Sequence, residues 1–215
     1  MTRTGRLVTF EGGEGAGKST QARRLADALA AAGIEAVVTR EPGGTEGAEA
    51  IRELLVEGPP ERWLALTETL LVLAARHDHV KRRIEPALAA GQWVICDRFS
   101  DSTRVYQGIA GGAGVALVDR LHQAVLGDLA PDLTLILDVP VPLGLRRRAR
   151  AAGANRFERK DKAFHEKVRE GFRTLAEAEP QRCCLIEATG TADEVAARVR
   201  EIVAGRFAIR FPHAI

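Results

Sequence analysis

The run EGGEGAGKST, from Glu11 to Thr20, holds four glycines, two carboxylates and a single cation, Lys18. Gly12, Gly17, Lys18 and Ser19 fit the spacing G-x-x-x-x-G-K-[ST], a cradle for nucleotide phosphates. Glycines let successive backbone N–H groups turn inward on an anion, and a helix starting after them adds its dipole. Lys18 is then expected to reach the β- and γ-phosphates, and the Ser19 hydroxyl to ligate Mg²⁺. Gly12, Gly13, Glu14, Gly15, Ala16, Gly17, Lys18, Ser19 and Thr20 form the expected ATP-binding run. The dinucleotide spacing G-x-G-x-x-G does not fit, because its third position falls on Lys18. The only asparagine, Asn155, sits in ANRF, so the guanine-reading element N-K-x-D is missing and a GTPase of the usual kind is excluded. One lysine is little positive charge for a transfer between two phosphates, so further cations must converge from elsewhere.

Four later stretches offer them. DRFSDSTRVYQG, Asp97 to Gly108, follows the apolar run WVIC. Asp97 would hold a Mg²⁺-bound water, and Arg98 offers a planar fork for a phosphate. Tyr106 and Gln107 would line a pocket for a base or sugar. In TREPGGTEGAEAIREL, Pro42 and two glycines turn the chain, Thr45 can cap a helix, and Arg52 lies two turns into it. In LVLAARHDHV, Val72 and Arg76 are four apart and share a helix face, from which Arg76 could reach a base edge. His77 and His79, two apart, fall on different faces and do not read as a metal pair. GLRRRARAAGANRFE carries Arg146, Arg147, Arg148, Arg150 and Arg156, and reads as a cover over phosphates at about residues 142–158.

These groups need a frame that brings them together. Short β-rich runs (6–11, 36–39, 93–97, 133–139 and 183–188) alternate with helical stretches at 18–32, 45–57, 62–90, 115–126, 142–152, 161–179 and 192–204. Runs such as LTLIL, apolar almost throughout, predict strands buried on both faces. The alternation predicts an α/β fold, a parallel sheet with helices on both faces, and ligands bind such sheets at the carboxyl ends of the strands. Those ends are Glu11, Arg40, Asp97 and Asp138, all ionisable. Gly108 to Gly114, with four glycines, is expected to be a mobile loop.

The chain has 215 residues and a net charge of +2, so its overall balance argues for neither nucleic acid nor a membrane surface. The apolar run near the N-terminus is too short for a signal peptide, and none elsewhere is long enough to span a bilayer. Cys96, Cys183 and Cys184 match neither a disulfide framework nor a zinc clamp, and all three are expected to be buried in strands of a cytoplasmic protein.

EGGEGAGKST, TREPGGT, AAR, DRFSDSTRVYQG and the arginine cover, in this order, resemble the bacterial thymidylate kinases, in the form with arginines in the lid. The resemblance runs from Leu7 to about Ala188. It implies a nucleoside-monophosphate-kinase-like P-loop fold with a five-stranded parallel sheet, and one domain over residues 1–215. It implies transfer of the ATP γ-phosphate to dTMP with Mg²⁺, on the way to dTTP, by a homodimer that binds neither nucleic acid nor membranes. The catalytic set is then Lys18, Arg98 and Asp97, with Arg147, Arg148, Arg150 and Arg156 as candidates for a cis arginine finger. The acceptor set is Glu14, Pro42, Arg52, Val72, Arg76, Arg98, Ser102, Thr103, Tyr106 and Gln107, and the metal set is Ser19 and Asp97. Glu14 would approach the sugar hydroxyl, Arg98 would bridge the two phosphates, and Tyr106 would crowd the 2′ position. Two positions depart from the common pattern. Val72 stands where relatives usually stack a phenylalanine on thymine, and Gly15 stands where some carry an arginine in the loop. Two other readings compete: a small kinase for a different acceptor, and an ATP-dependent switch. Arg98 and the cover weigh against the switch, which needs no clamp on a second phosphate.

Overall fold

Five short strands form one parallel sheet in the computed structural model, which describes residues 5–149 and 155–212. They are β1 (Leu7–Glu11), β2 (Ala36–Arg40), β3 (Trp93–Asp97), β4 (Leu133–Asp138) and β5 (Cys183–Glu187), in the order β2-β3-β1-β4-β5. The first strand is thus the middle one, with Phe10 opposite Asp97 on β3 and Glu11 opposite Ile136 on β4. Residues of β1 and almost all of β4 are buried, as strands covered on both faces must be. The edge strands β2 and β5 are only partly buried. Cys184 lies on β5 and is half-buried, which corrects the expectation that all three cysteines are interior. An edge strand has a neighbour on one side only.

Helices cover both faces. On one, α1 (Lys18–Ala31) and α9 (Ala192–Phe207) set Leu25, Leu29, Val199 and Val203 against Phe10, Ile95 and Leu135. On the other, Ile84 and Leu88 pack on Leu7, Val94 and Cys96, while α8 (Lys162–Ala178) sets Val168 and Phe172 against Ile136. Side-chain caps fix several helix starts. Thr45 accepts the Ala48 N–H at the head of α2 (Glu46–Val56), Asp161 caps α8, and Thr191 and Glu194 form a reciprocal pair at α9.

The single helix expected over 62–90 starts later and is divided. It consists of α3 (Ala65–His79), a π-helical segment at Val80–Ile84 and α4 (Glu85–Ala89). Pro86 lacks the N–H that an α-helical ladder would need there, and the widened turn before it absorbs the loss. A second π-helical segment, Arg104–Ala110, continues α5 (Ser100–Thr103). It includes Gly108, so the glycine-rich loop is shorter than expected. Gly108 is a packing glycine: a Cβ there would press on Val115 at the start of α6 (Val115–Leu126) at 3.3 Å. Of the arginine cover, α7 (Val141–Ala149) is described. The C-terminal segment covers core: Phe207 meets Trp93 edge-on at 4.8 Å, and Ile209 and Phe211 pack beyond it.

Candidate active site

The phosphate loop joins β1 to α1 at the carboxyl edge of the sheet. Gly12, Gly15 and Gly17 take positive φ values of 128°, 67° and 94°, the left-handed region that favours glycine. Lys18 Nζ turns back over the loop and donates to the carbonyls of Gly12 (3.1 Å) and Gly13 (2.8 Å). Burial and the nearby Arg98 lower its ammonium to about 8, against the pull of Glu14 and Asp97. It therefore remains a cation at neutral pH. The loop is braced from above by α7, since a Cβ on Gly15 would overlap the Gly144 carbonyl oxygen and a Cβ on Gly144 would overlap that of Glu14.

Across the cleft, Ser19 donates its hydroxyl to Asp97 at the end of β3. The next residue, Arg98, has a φ of 69°, an uncommon setting for a side chain that long. Its guanidinium donates to Gly12 O (3.2 Å), Ser102 Oγ (3.1 Å), Glu14 Oε1 (2.8 Å) and Tyr106 Oη (3.1 Å). Burial pushes the Glu14 carboxyl up, but Arg98, Lys18 and the Tyr106 hydroxyl outweigh it and hold the group below its ordinary value. Burial works against the Arg98 cation too, and Tyr106, Glu14 and Asp97 more than restore it. Tyr106 is itself wedged by Phe157, Phe164 and Phe172, each meeting its ring edge-on at 6.0–6.3 Å.

Deeper in the cleft lies Arg76, 2% exposed. Its Nε donates to Glu41 (2.6 Å), and its Nη2 to Phe99 O (3.0 Å) and Thr103 Oγ1 (2.8 Å). Among the described residues its buried Nη1 has no hydrogen-bond partner. That leaves a donor on a cleft-lining residue for an acceptor on a ligand. Burial pushes Glu41 up, but Arg76 and His79 bring it below the ordinary carboxylate value, so it is a pure acceptor. His79 therefore turns its Nδ1–H to Glu41 at 3.0 Å and, when neutral, takes the Thr39 hydroxyl on Nε2 at 2.7 Å. This chain of Thr39, His79 and Glu41 behind Arg76 was not foreseen. Glu41 and Arg76 are 35 residues apart, and no local spacing links them. Nearby, Arg52 donates to Pro42 O (2.7 Å) and Gln107 to Glu68 (2.8 Å).

The cover arginines divide. Arg147 donates to the carbonyls of Ala188, Thr189 and Gly190, which ties α7 to the loop after β5. Arg148 donates to Glu158 at 2.7 Å. Arg156 corrects an expectation. It is fully buried, donating to Leu55 O and Pro60 O and paired with Glu68, so it anchors the cover's far end instead of facing phosphates. An arginine beside an exposed basic run looks like a finger in sequence; only the fold reveals three acceptors waiting for it. Arg150 lies outside the described residues. Asp138, the last of the ionisable strand ends, is held by Arg169 and Arg173 of α8 and stays out of the cleft.

One cleft of about 730 Å³ gathers the rest. Among the described residues, every member of the expected catalytic, ATP-binding, acceptor and metal sets lines it except Gly12, Gly13 and Arg156. Among the described residues no three His, Cys, Asp or Glu side chains cluster to cage a metal. A hydroxyl and one carboxylate, Ser19 and Asp97, converge at the loop, which suits Mg²⁺ held mainly by phosphate oxygens and water.

A phosphate loop, a second anion site facing it and an arginine cover on a β2-β3-β1-β4-β5 parallel sheet define a P-loop nucleoside monophosphate kinase. A family model described as thymidylate kinase matches residues 10–199. The chain is 54% identical to the thymidylate kinase of Caulobacter vibrioides over 95% of its own length and 99% of that protein. It is 51% identical to that of Afipia carboxidovorans, over 97% and 92% of the two chains. The crystal structure of thymidylate kinase from Ehrlichia chaffeensis superposes with a TM-score of 0.77 at 34% identity, covering 93% of this chain and 98% of that one. The chain belongs to the thymidylate kinase family.

Proposed function

We propose that this chain transfers the γ-phosphate of ATP to the phosphate of dTMP, giving dTDP and ADP. The observation that carries the reading is the pairing of two anion sites across one cleft. The phosphate loop ends at Lys18 on one side, and Arg98 stands opposite, held over the same loop by Gly12 and Glu14. The pocket beyond Arg98 ends at the Nη1 of Arg76, which has no hydrogen-bond partner among the described residues and is suited to a pyrimidine carbonyl. Glu14 and Tyr106 flank the path between them, where a sugar would lie.

The chemistry asks little covalent help from the protein. At neutral pH the acceptor phosphate is already largely ionised, since its second pKa is about 6, so no general base is needed. Lys18 and Arg98 stabilise charge on the transferred group, while Arg52 orients the acceptor phosphate. Ser19 and Asp97 would hold Mg²⁺, which supplies charge neutralisation between the donor phosphates. Arg147 and Arg148 ride on α7, and closure of residues 142–158 as a lid excludes water from the transfer. Arg150 is kept in the finger set.

Residues 1–215 act as one kinase domain. Leu66 and Leu70, both close to half exposed and one turn apart on α3, support a homodimer formed through this helix. The setting is the cytoplasm, where the product feeds dTTP synthesis. A coupled ADP-release assay over dTMP, dUMP, dCMP, dGMP and UMP tests the reading. The fastest turnover is expected with dTMP. A preference for another nucleotide would replace the base assignment, and ATP hydrolysis without a phosphorylated product would favour a switch.

A further inference from the structure

Glu11 ends β1, is completely buried, and has no part in the reaction described above. Its Oε1 accepts the backbone N–H groups of Phe99 (2.8 Å) and Ser102 (3.2 Å), and its Oε2 accepts the Ser102 hydroxyl (2.5 Å). No side chain of α5's own caps that helix. A carboxyl in the dry interior costs several kcal/mol unless its oxygens are satisfied, and here all of its bonds go to one turn. That turn begins directly after Arg98. On the other side of Arg98, its N–H bonds Phe10 O (2.9 Å), and its carbonyl accepts the Cys96 thiol (3.0 Å). The left-handed backbone of Arg98 is therefore clamped from both sides, as a strained residue must be to persist. Ser102 links the two parts, because its hydroxyl donates to Glu11 and its oxygen accepts from Arg98 Nη1.

We propose that Glu11 is a positioning residue for phosphoryl transfer: its carboxylate fastens the Phe99–Ser102 turn and so holds Arg98 in the backbone setting that aims its guanidinium over the phosphate loop. The inference rests on the role of Arg98 in the reaction proposed above. Glu11 touches no phosphate itself, and it acts through Arg98 and Ser102.

The test uses the full chain and the dTMP assay. Glu11→Ala orphans the buried Phe99 N–H, leaves the Ser102 N–H only its bond to Phe99 O, and frees the turn. Its kcat should fall about 100-fold, the scale of a misplaced reacting group, while the affinity for ATP alone stays within about threefold. Glu11→Gln keeps Oε1 as acceptor and offers its amide to Ser102 Oγ, so it should restore kcat to within about threefold. In an Arg98→Ala background, Glu11→Ala should lower kcat no further, because the residue it serves has gone. A role in stability alone would add its effect in both backgrounds. Should Glu11→Ala fail to fold, Glu11→Asp, too short to reach both N–H groups, is read the same way. Unchanged kcat in Glu11→Ala or Glu11→Asp, or additive losses with Arg98→Ala, overturns the inference and leaves the dTMP reaction standing. A wild-type chain that phosphorylates no nucleotide removes the reaction, and the inference with it.

Discussion

Gly15 and Gly144 meet backbone to backbone, one in the phosphate loop and the other in the cover helix α7. Neither position has room for a β-carbon, since each would drive into a carbonyl oxygen of the opposite strand of contact. This explains why a loop arginine is absent here: the site of its side chain is occupied by the helix that carries arginines of its own. Gly144→Ala should lower stability by about 2 kcal/mol, an overpacking cost, and the melting temperature by about 6 °C. It should also reduce turnover, because Glu14 moves with its carbonyl. A variant that melts and turns over like the wild type would show that the helix yields freely.

Arg98→Ala should leave ATP binding nearly intact and lower kcat with dTMP about 10³-fold or more, within the range seen when an arginine is removed from phosphoryl transfer. Steady-state kinetics beside ATP titration checks this. Turnover surviving within a few-fold would remove Arg98 from the reaction.

Val72 is buried in the wall of the cleft four residues before Arg76. Val72→Phe should lower the KM for dTMP by about 2- to 10-fold, the worth of a ring-stacking contact, with kcat little changed. An unaltered KM would mean that the base is gripped by other surfaces.

Arg156→Ala should act on stability before chemistry. It strips Leu55 O and Pro60 O of a donor and takes from Glu68 its cationic partner, leaving it only the Gln107 amide, a change that costs about 3–5 kcal/mol. Chemical melts should show that loss, whereas Arg148→Ala should melt near the wild type and lose turnover. The reverse pattern would restore Arg156 as the finger.

Glu11 also predicts a pH dependence. Burial first, and the charge of Asp101 second, raise its carboxyl from 4.5 to about 7 in the fold, against the Ser102, Arg98 and Phe99 interactions that favour ionisation. Between these values the folded chain keeps a proton that the unfolded chain has lost. Stability from this group is therefore greatest below about pH 4.5, declines up to about pH 7, and is constant above. Glutamine does not titrate. The wild type should lose on the order of 3 kcal/mol relative to Glu11→Gln between about pH 5 and about pH 8 in urea melts. A constant difference would show that the Ser102, Arg98 and Phe99 interactions together cancel the effects of burial and of Asp101.

The sheet, its helices and the phosphate loop were readable because each depends on local pattern: apolar runs, glycine spacing, caps such as Thr45. The cleft was readable at its ends, where Lys18, Arg98 and Arg76 are unusual cations beside strand or helix termini. What escaped was the support behind them. Glu11 reaches Phe99 across 88 residues, and Arg156 reaches Glu68 across another 88. Such pairs leave no trace in spacing, since either partner alone resembles an ordinary charged residue. The glycines of 108–114 misled for a related reason: Gly108 is small because Val115 is close, a fact about packing and not about turning.

The position of β1 has a consequence for how the protein is made. Of the five described strands it is the first to leave the ribosome, yet it lies between β3 and β4, and the latter is complete only at Asp138. Until then the chain holds an apolar strand and a glycine-rich loop with no second wall to rest on, and this is a long exposure for a nascent segment. Nucleotide binding must come late in synthesis, after most of the chain has emerged. A ribosome stalled before Leu133 should carry a polypeptide unable to retain ATP, whatever the length of time it is given to fold.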